Sequence, residues 1–236
     1  MLSLGAFSQE ATQGILNVPS GLRFMPAEHE RHAAQEAPFV TRHALVGPGD
    51  SCKIFRQVKD PFHHPYLRAD EAVFGLIPSW ACDSRSASQN CAVHVAAIAN
   101  KPVYRSSFLH AQFCWLSVSF FLGSVWKEGR EQLVRVERED QQSFYLAGIW
   151  SEWALASGST VLSFCLLMRD CDMQLKAQRL RVGKNATQCY AVLSTETVAG
   201  WVDQPPQEAI ETLTRLAFPK LRVLPYLQPH ETSHVC

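Results

Sequence analysis

Residues 113–168 read FCWLSVSFFLGSVWKEGREQLVRVEREDQQSFYLAGIWSEWALASGSTVLSFCLLM. Within this stretch FCWLSVSFFL (113–122), QLVRVER (132–138), SFYLAGIW (143–150) and TVLSFCLLM (160–168) are rich in β-branched and aromatic residues. KEGRE, EDQQ and ALASGS separate them. Such runs fit a pleated, largely buried surface, and short polar separators carrying Gly supply turn chemistry. The stretch therefore predicts a mostly antiparallel sheet or barrel.

The same alternation extends in both directions. FVTRHALV (39–46), CKIFRQV (52–58) and EAVFGLI (71–77) read as strands, with GPGD and DPFHHPY as the turns between them. His63 and His64 fall in the second turn, where adjacent histidines on a Pro-flanked loop point to solvent rather than to a metal. AVHVAAIA (92–99) alternates weakly and leads into a short helix opened by Pro102. CYAVLS (189–194) is a further strand, TETVAGWV (195–202) and PPQEAIETLTRLAF (205–218) are helices, and KLRVLPYL (220–227) closes with a strand. The second helix carries Ile210, Leu213 and Leu216 on one face, as an amphipathic surface helix does. PAEHERHAAQE (26–36) reads as a solvated helix. The expected architecture is one α+β domain spanning residues 1–236 and dominated by β structure.

Composition narrows the function classes. The 236 residues are 47% hydrophobic and 19% charged, with 22 Lys and Arg against 22 Asp and Glu. No net field draws such a chain to polyanions, so any nucleic-acid contact has to come from a local patch. The start, MLSLGAFSQEATQGIL, has no basic stretch followed by an apolar one, and nowhere do about 18 apolar residues run uninterrupted. The expectation is a soluble, cytoplasmic protein with no membrane contact. The 8 cysteines are scattered without a CxxC pair, which argues against a zinc site or a disulfide framework. Several sit inside apolar runs, where the thiol behaves as a small hydrophobe. Glycine-rich phosphate loops, HExxH and GxSxG are missing, so no cofactor is expected and the chain is read as a monomer.

VFGLIPSW (73–80) poses a sharper question. A strand-like run breaks at Pro78 and presents Trp80 just before the loop CDSRSASQN. Trp80 either folds back over the core edge or offers a flat face on which a base can stack.

Taken together and in this order, GLIPSWA (75–81), ANKPVYRSSF (99–108), WK (126–127), FYLAGIWSEW (144–153) and AGWVD (199–203) resemble the SOS-response-associated peptidase (SRAP) family of abasic-site processing proteins. The similarity runs from about residue 40 to 225. The resemblance implies an SRAP-like fold, a β-barrel-like core with peripheral helices, and a groove for single-stranded DNA. It also implies covalent capture of the open-chain sugar aldehyde by an N-terminal cysteine, through an imine and then a thiazolidine, with an Asn, a Glu and a His lining the pocket.

Carried over residue by residue, that chemistry is not met. The family's cysteine falls on Leu2, or on Leu4 if the start is shifted. Registered on Lys101-Pro102, the pocket Asn falls on Ala92, with the neighbouring Arg and Glu of that motif on His94 and Ala96. The pocket Glu falls on Val125, or on Gly123 when counted forward from Cys114. The pocket His falls on Ala186 and its companion Arg on Gln188. A register with a two-residue insertion would put Asn90 in the Asn role and leave the other groups unreplaced. The expectation is thus a catalytically silent SRAP-like protein whose remaining contacts to single-stranded DNA are Trp80, His94, Lys101 and Arg105. The alternatives are a partner-binding scaffold with no nucleic-acid role, consistent with the zero net charge, and an unrelated thiol enzyme using Cys91 with His94. The last is disfavoured because those two side chains point to opposite faces of a strand.

Overall fold

The computed structural model describes residues 45–59 and 64–226 apart from 156, 178 and 183–186, together with Phe62 and short strands at 7–8 and 24–25. Helix 26–36, most of run 39–46, His63, Leu2, Leu4 and Ala186 lie outside the described residues. The strands are Phe7–Ser8 (β1), Phe24–Met25 (β2), Leu45–Val46 (β3), Ser51–Lys59 (β4), Pro65–Phe74 (β5), Ala92–His94 (β6), Phe113–Val118 (β7), Phe120–Lys127 (β8), Arg130–Arg138 (β9), Phe144–Ala154 (β10), Thr160–Asp170 (β11), Gln188–Tyr190 (β12), Val192–Leu193 (β13) and Leu221–Pro225 (β14). The helices are Pro102–Leu109 (α1), Met173–Ala177 (α2), Thr195–Trp201 (α3) and Pro206–Arg215 (α4).

Five strands close on themselves. β5 pairs with β4, β4 with β7, β7 with β10 and β10 with β11, all antiparallel. β11 then returns to β5 through a parallel seam, Ser163 opposite Val73 and Phe164 opposite Phe74. Closure removes the open edges that an extended sheet would present. A second sheet, ordered β14-β9-β8-β1-β3, packs beside this barrel.

The strands read as unbroken apolar runs because both of their faces are buried. Cys114, Leu116 and Val118 of β7 enter one apolar cluster, and Phe113 and Trp115 enter another. Phe144 and Leu146 against Ala147 and Ile149, and Phe164 and Leu166 against Cys165 and Leu167, divide with the same period of two. Phe121, Val134, Val136 and Leu221 of the second sheet cover the first cluster, with the Phe121 and Phe144 rings 5.5 Å apart. Tyr104 and Phe108 of α1, Val198 and Trp201 of α3, and Ala209 and Leu213 of α4 cover the second. Most of the described cysteines are free and buried in these clusters, as their apolar context predicts. Arg56 of β4 is a buried charge held between Asp70 of β5 (2.6 Å) and Glu152 of β10 (3.1 Å), its guanidinium 4.2 Å from the Trp150 ring. That pairing makes its burial tolerable.

Several element boundaries differ from the sequence reading, each for a physical reason. FCWLSVSFFL is two strands, because the chain leaves the barrel at Ser119 and joins the second sheet, while Val118 and Phe121 stay in the same cluster and keep the apolar run continuous. CYAVLS splits at Ala191, whose N–H donates to Leu167 of β11 (2.8 Å) and whose carbonyl accepts from Ala147 of β10 (2.9 Å). EAVFGLI is the second half of β5, which begins inside the expected turn and ends before Gly75. At Gly75 φ is +128°, and a Cβ there would sit 2.3 Å from the Ala87 carbonyl oxygen. Only glycine makes that exit from the barrel. α2, five residues long, has no counterpart in the sequence reading.

Candidate functional site

The loop that leaves β5 is tied down at both ends. Leu76 is buried in the second cluster, and the Ile77 N–H donates to the Ser163 hydroxyl of β11 at 2.9 Å. Beyond the turn, the Ala81 N–H donates to the Pro78 carbonyl (2.9 Å), and the Ala81 carbonyl accepts from the Trp153 indole N–H (2.7 Å). Between these anchors Trp80 stands outward, 61% exposed. It has the geometry of a platform and does not cap the core.

α1 places Lys101 at its N-cap and Arg105 one turn later, both exposed, while Tyr104, Ser107 and Phe108 face inward. No carboxylate among the described residues pairs with either cation. Since Leu76, Tyr104 and Phe108 share one cluster, the Trp80 loop and α1 lie on the same, helical side of the barrel wall. His94 is placed differently. Its Nδ1 accepts from the Ala96 N–H at 3.2 Å, capping the 3-10 turn Val95–Ala97, so the proton sits on Nε2. Nε2 is buried, 3.4 Å from an Asp170 carboxylate oxygen but badly aligned for a hydrogen bond. Trp80, Lys101 and Arg105 are thus outward-facing, and the His94 ring is engaged within the fold.

Ala92 of β6 lies opposite Leu166, and Val125 lies on β8; both are half-buried and pack against the first cluster. Asn90 donates through its side chain to the Leu76 carbonyl at 3.2 Å and serves as a brace for the loop. Cys91 is 1% exposed, its Sγ is 3.3 Å from the Ser88 carbonyl oxygen, and burial pushes the thiol pKa up to about 12. Such a thiol yields no thiolate near neutrality, which removes the physical basis for a Cys91–His94 nucleophile.

The sequence profile of the SOS response associated peptidase (SRAP) family matches residues 20–225. The chain belongs to the SRAP family. Solved structures share the SRAP fold at low identity. A protein from Bordetella bronchiseptica aligns with TM-score 0.73 at 16% identity, covering 95% of this chain and 100% of that one. A protein from Bacteroides thetaiotaomicron aligns with TM-score 0.60 at 16% identity over 76% of this chain and 75% of that one. A phage-related protein from Bordetella bronchiseptica aligns with TM-score 0.59 at 13% identity over 95% and 94% of the two chains. No curated protein sequence matches. Among the described residues, no helix of this SRAP protein is long and apolar enough to cross a membrane.

Sequence reasoning missed a second surface of the SRAP fold. Trp126, Lys176, Arg179, Arg181 and Thr187 line an open cleft of about 500 Å³ beside Val125. The signal was available in LKAQRLR (175–181), where cations recur every two or three residues between leucines.

Proposed function

We propose that this SRAP protein binds single-stranded DNA without capturing abasic sites covalently. The observation that carries the reading is the apolar packing of Ala92 and Val125, the residues on which the sequence resemblance registers the family's pocket amide and carboxylate. Orienting the open-chain sugar requires hydrogen bonds, and closing and opening the imine requires proton transfer; a methyl and an isopropyl group do neither. An imine formed with a lysine amine would stay hydrolysable. The binding half of the reading rests on Trp80, Lys101 and Arg105, an exposed aromatic face and two cations without a carboxylate partner among the described residues, on one side of the barrel wall, with His94 as the cap of the Val95–Ala97 turn. A partner-binding scaffold is the second reading, favoured by the equal count of 22 basic and 22 acidic residues.

Incubation with an abasic single-stranded oligonucleotide, followed by a denaturing gel, tests the chemistry, and retention on single-stranded DNA at rising salt tests the binding. The expected outcome is salt-sensitive retention with no heat-stable adduct. A heat-stable adduct refutes catalytic silence. Loss of all retention even at low salt leaves the scaffold.

A further inference from the structure

We infer that Cys171 and Cys189 are a redox-active thiol pair, oxidised by a small hydroperoxide to a reversible disulfide that staples the end of β11 to the edge strand β12. In sequence the two are separated by residues 172–188, and no motif marks them. The fold brings them together. Cys189 lies opposite Arg169 in the β11–β12 register, and the Cys171 N–H extends that ladder by donating to the Thr187 carbonyl at 2.8 Å. Arg169 and Cys171 are two residues apart along this run, so Cys171 and Cys189 are diagonal neighbours on one face of the pair. Both are free thiols buried in the first cluster, 3% and 0% exposed, and the two are hydrogen-bonded to each other.

That contact divides the roles. The Cys189 S–H donates to the Cys171 sulfur, which holds the Cys171 thiol below the ordinary range and pushes the Cys189 thiol well above it. The Lys176 ammonium of α2 adds to the first effect. Burial instead pushes up the thiols of Cys52, Cys91, Cys114 and Cys165. Thiolate is therefore available at Cys171 and suppressed at those core positions. The Cys171 thiolate attacks a peroxide oxygen and the O–O bond breaks, leaving a sulfenic acid on Cys171. The leaving oxygen takes up the proton that Cys171 gave up and departs as an alcohol or as water. Cys189 then attacks the sulfenyl sulfur, the S–O bond breaks, and the departing hydroxide carries off the Cys189 proton as water. The two thiols are oxidised by two electrons and the hydroperoxide is reduced by two.

A hydroperoxide reaches a buried thiol through local opening, and both elements beside this pair are short. β12 is three residues at the end of its sheet, and α2 is five residues held by Leu175 in the first cluster. Short terminal elements lie at the low end of the range of local stabilities within a fold. A disulfide between Cys171 and Cys189 closes residues 172–188 into a loop and restricts the opening of the segment that carries α2. Reduction by a thiol releases it.

Trypsin cuts after Arg169, Lys176 and Lys184, so the two cysteines fall in different peptides. The full reduced chain is exposed to hydrogen peroxide under native conditions, unfolded in an alkylating agent, digested without reductant and mapped by mass spectrometry. The expected product is a linked pair of peptides carrying Cys171 and Cys189, two hydrogen masses lighter than the separate peptides and lost on treatment with dithiothreitol. Cys189→Ser should abolish the link and leave a sulfenic acid on Cys171 that dimedone traps. Cys171→Ser should leave Cys189 fully alkylatable after unfolding. The oxidised wild type should melt above the reduced one, a shift absent from both variants. Mapping of the wild type decides the question even where a serine destabilises the core. If Cys171 and Cys189 are both recovered as alkylated thiols after an exposure that oxidises the exposed Cys82, the pair is inert and the inference is overturned. A link that forms only in denaturant, or that joins either residue to a different cysteine, overturns it equally.

Discussion

Replacing Trp80 and Trp201 separately by Ala compares an exposed aromatic, proposed above as a stacking platform, with a packing one in the same protein. Trp80 is 61% exposed, so about two-fifths of its surface is buried, roughly 100 Å² of the ~250 Å² a tryptophan can bury. At ~25 cal/mol/Å² that area bounds the folding cost near 2.5 kcal/mol, and a realistic unfolded chain lowers it to about 1.5–2.2 kcal/mol. Trp201 is fully buried, its ring centroid 4.8 Å from that of Phe113, and its indole N–H donates to the Cys114 carbonyl at 2.8 Å. Its removal opens a cavity and breaks that bond, at about 3–5 kcal/mol. For a chain of this size, 1 kcal/mol shifts the midpoint by about 2–4 °C. Thermal melts should therefore place Trp80→Ala a few degrees below wild type and Trp201→Ala well below both. A low-salt titration with single-stranded DNA should show Trp80→Ala weakened by about 1–3 kcal/mol. If Trp80→Ala melts as low as Trp201→Ala and binds DNA like wild type, the platform argument is wrong.

Other consequences can be checked directly. Alkylation with mass-spectrometric mapping at neutral pH should modify Cys82, the exposed thiol among those described, long before Cys91 or Cys52, whose pKa values burial raises far above neutrality. The Arg138 guanidinium, bonded to both Asp140 oxygens and helped by the Gln142 N–H, holds the Asp140 carboxyl at about 2 against an ordinary 3.8. A depressed folded pKa gives stability that is present above the unfolded value and lost as pH falls through the folded one. Asp140→Asn should accordingly flatten the fall in melting temperature between about pH 4 and pH 2. Ala92→Asn with Val125→Glu, which sets an amide and a carboxylate against the first cluster, should lower stability by about 1–3 kcal/mol per unpartnered group in a thermal melt and give no heat-stable abasic adduct.

The barrel strands were legible because burial on both faces leaves long β-branched and aromatic runs, and the turns between them carry their own chemistry. The Lys127–Arg130 reversal uses Glu128 and Gly129 at φ +54° and +75°, the handedness that suits a two-residue hairpin. The same two-sided burial hid where the chain changes sheets, since the run through Ser119 stays apolar on both sides of the change. α2 was hidden for a different reason. Five residues cannot nucleate a helix by propensity, and this one is held by Leu175 and Leu180 sinking into a cluster built by distant strands.

Site residues divide along the same line between local and distant causes. Lys101 and Arg105 could be placed on the exposed face of a helix because Pro102 starts that helix and the apolar residues between them define its buried face. Whether Trp80 stands out or folds back is decided instead by Ser163, 86 residues from Ile77, and by Trp153, 72 residues from Ala81, and no pattern within VFGLIPSW encodes either bond. The cationic cleft escaped because a zero net charge describes the whole chain and says nothing about where opposite charges are spent. The carboxylates of Asp70, Glu152, Asp83, Asp140 and Glu137 are paired with Arg56, Arg68, Arg85, Arg138, Arg135 and Arg222, while Lys176, Arg179 and Arg181 have none among the described residues. Local charge is what remains after pairing. In this fold it remains beside an exposed tryptophan, which is why neutrality of composition does not argue against an anionic ligand.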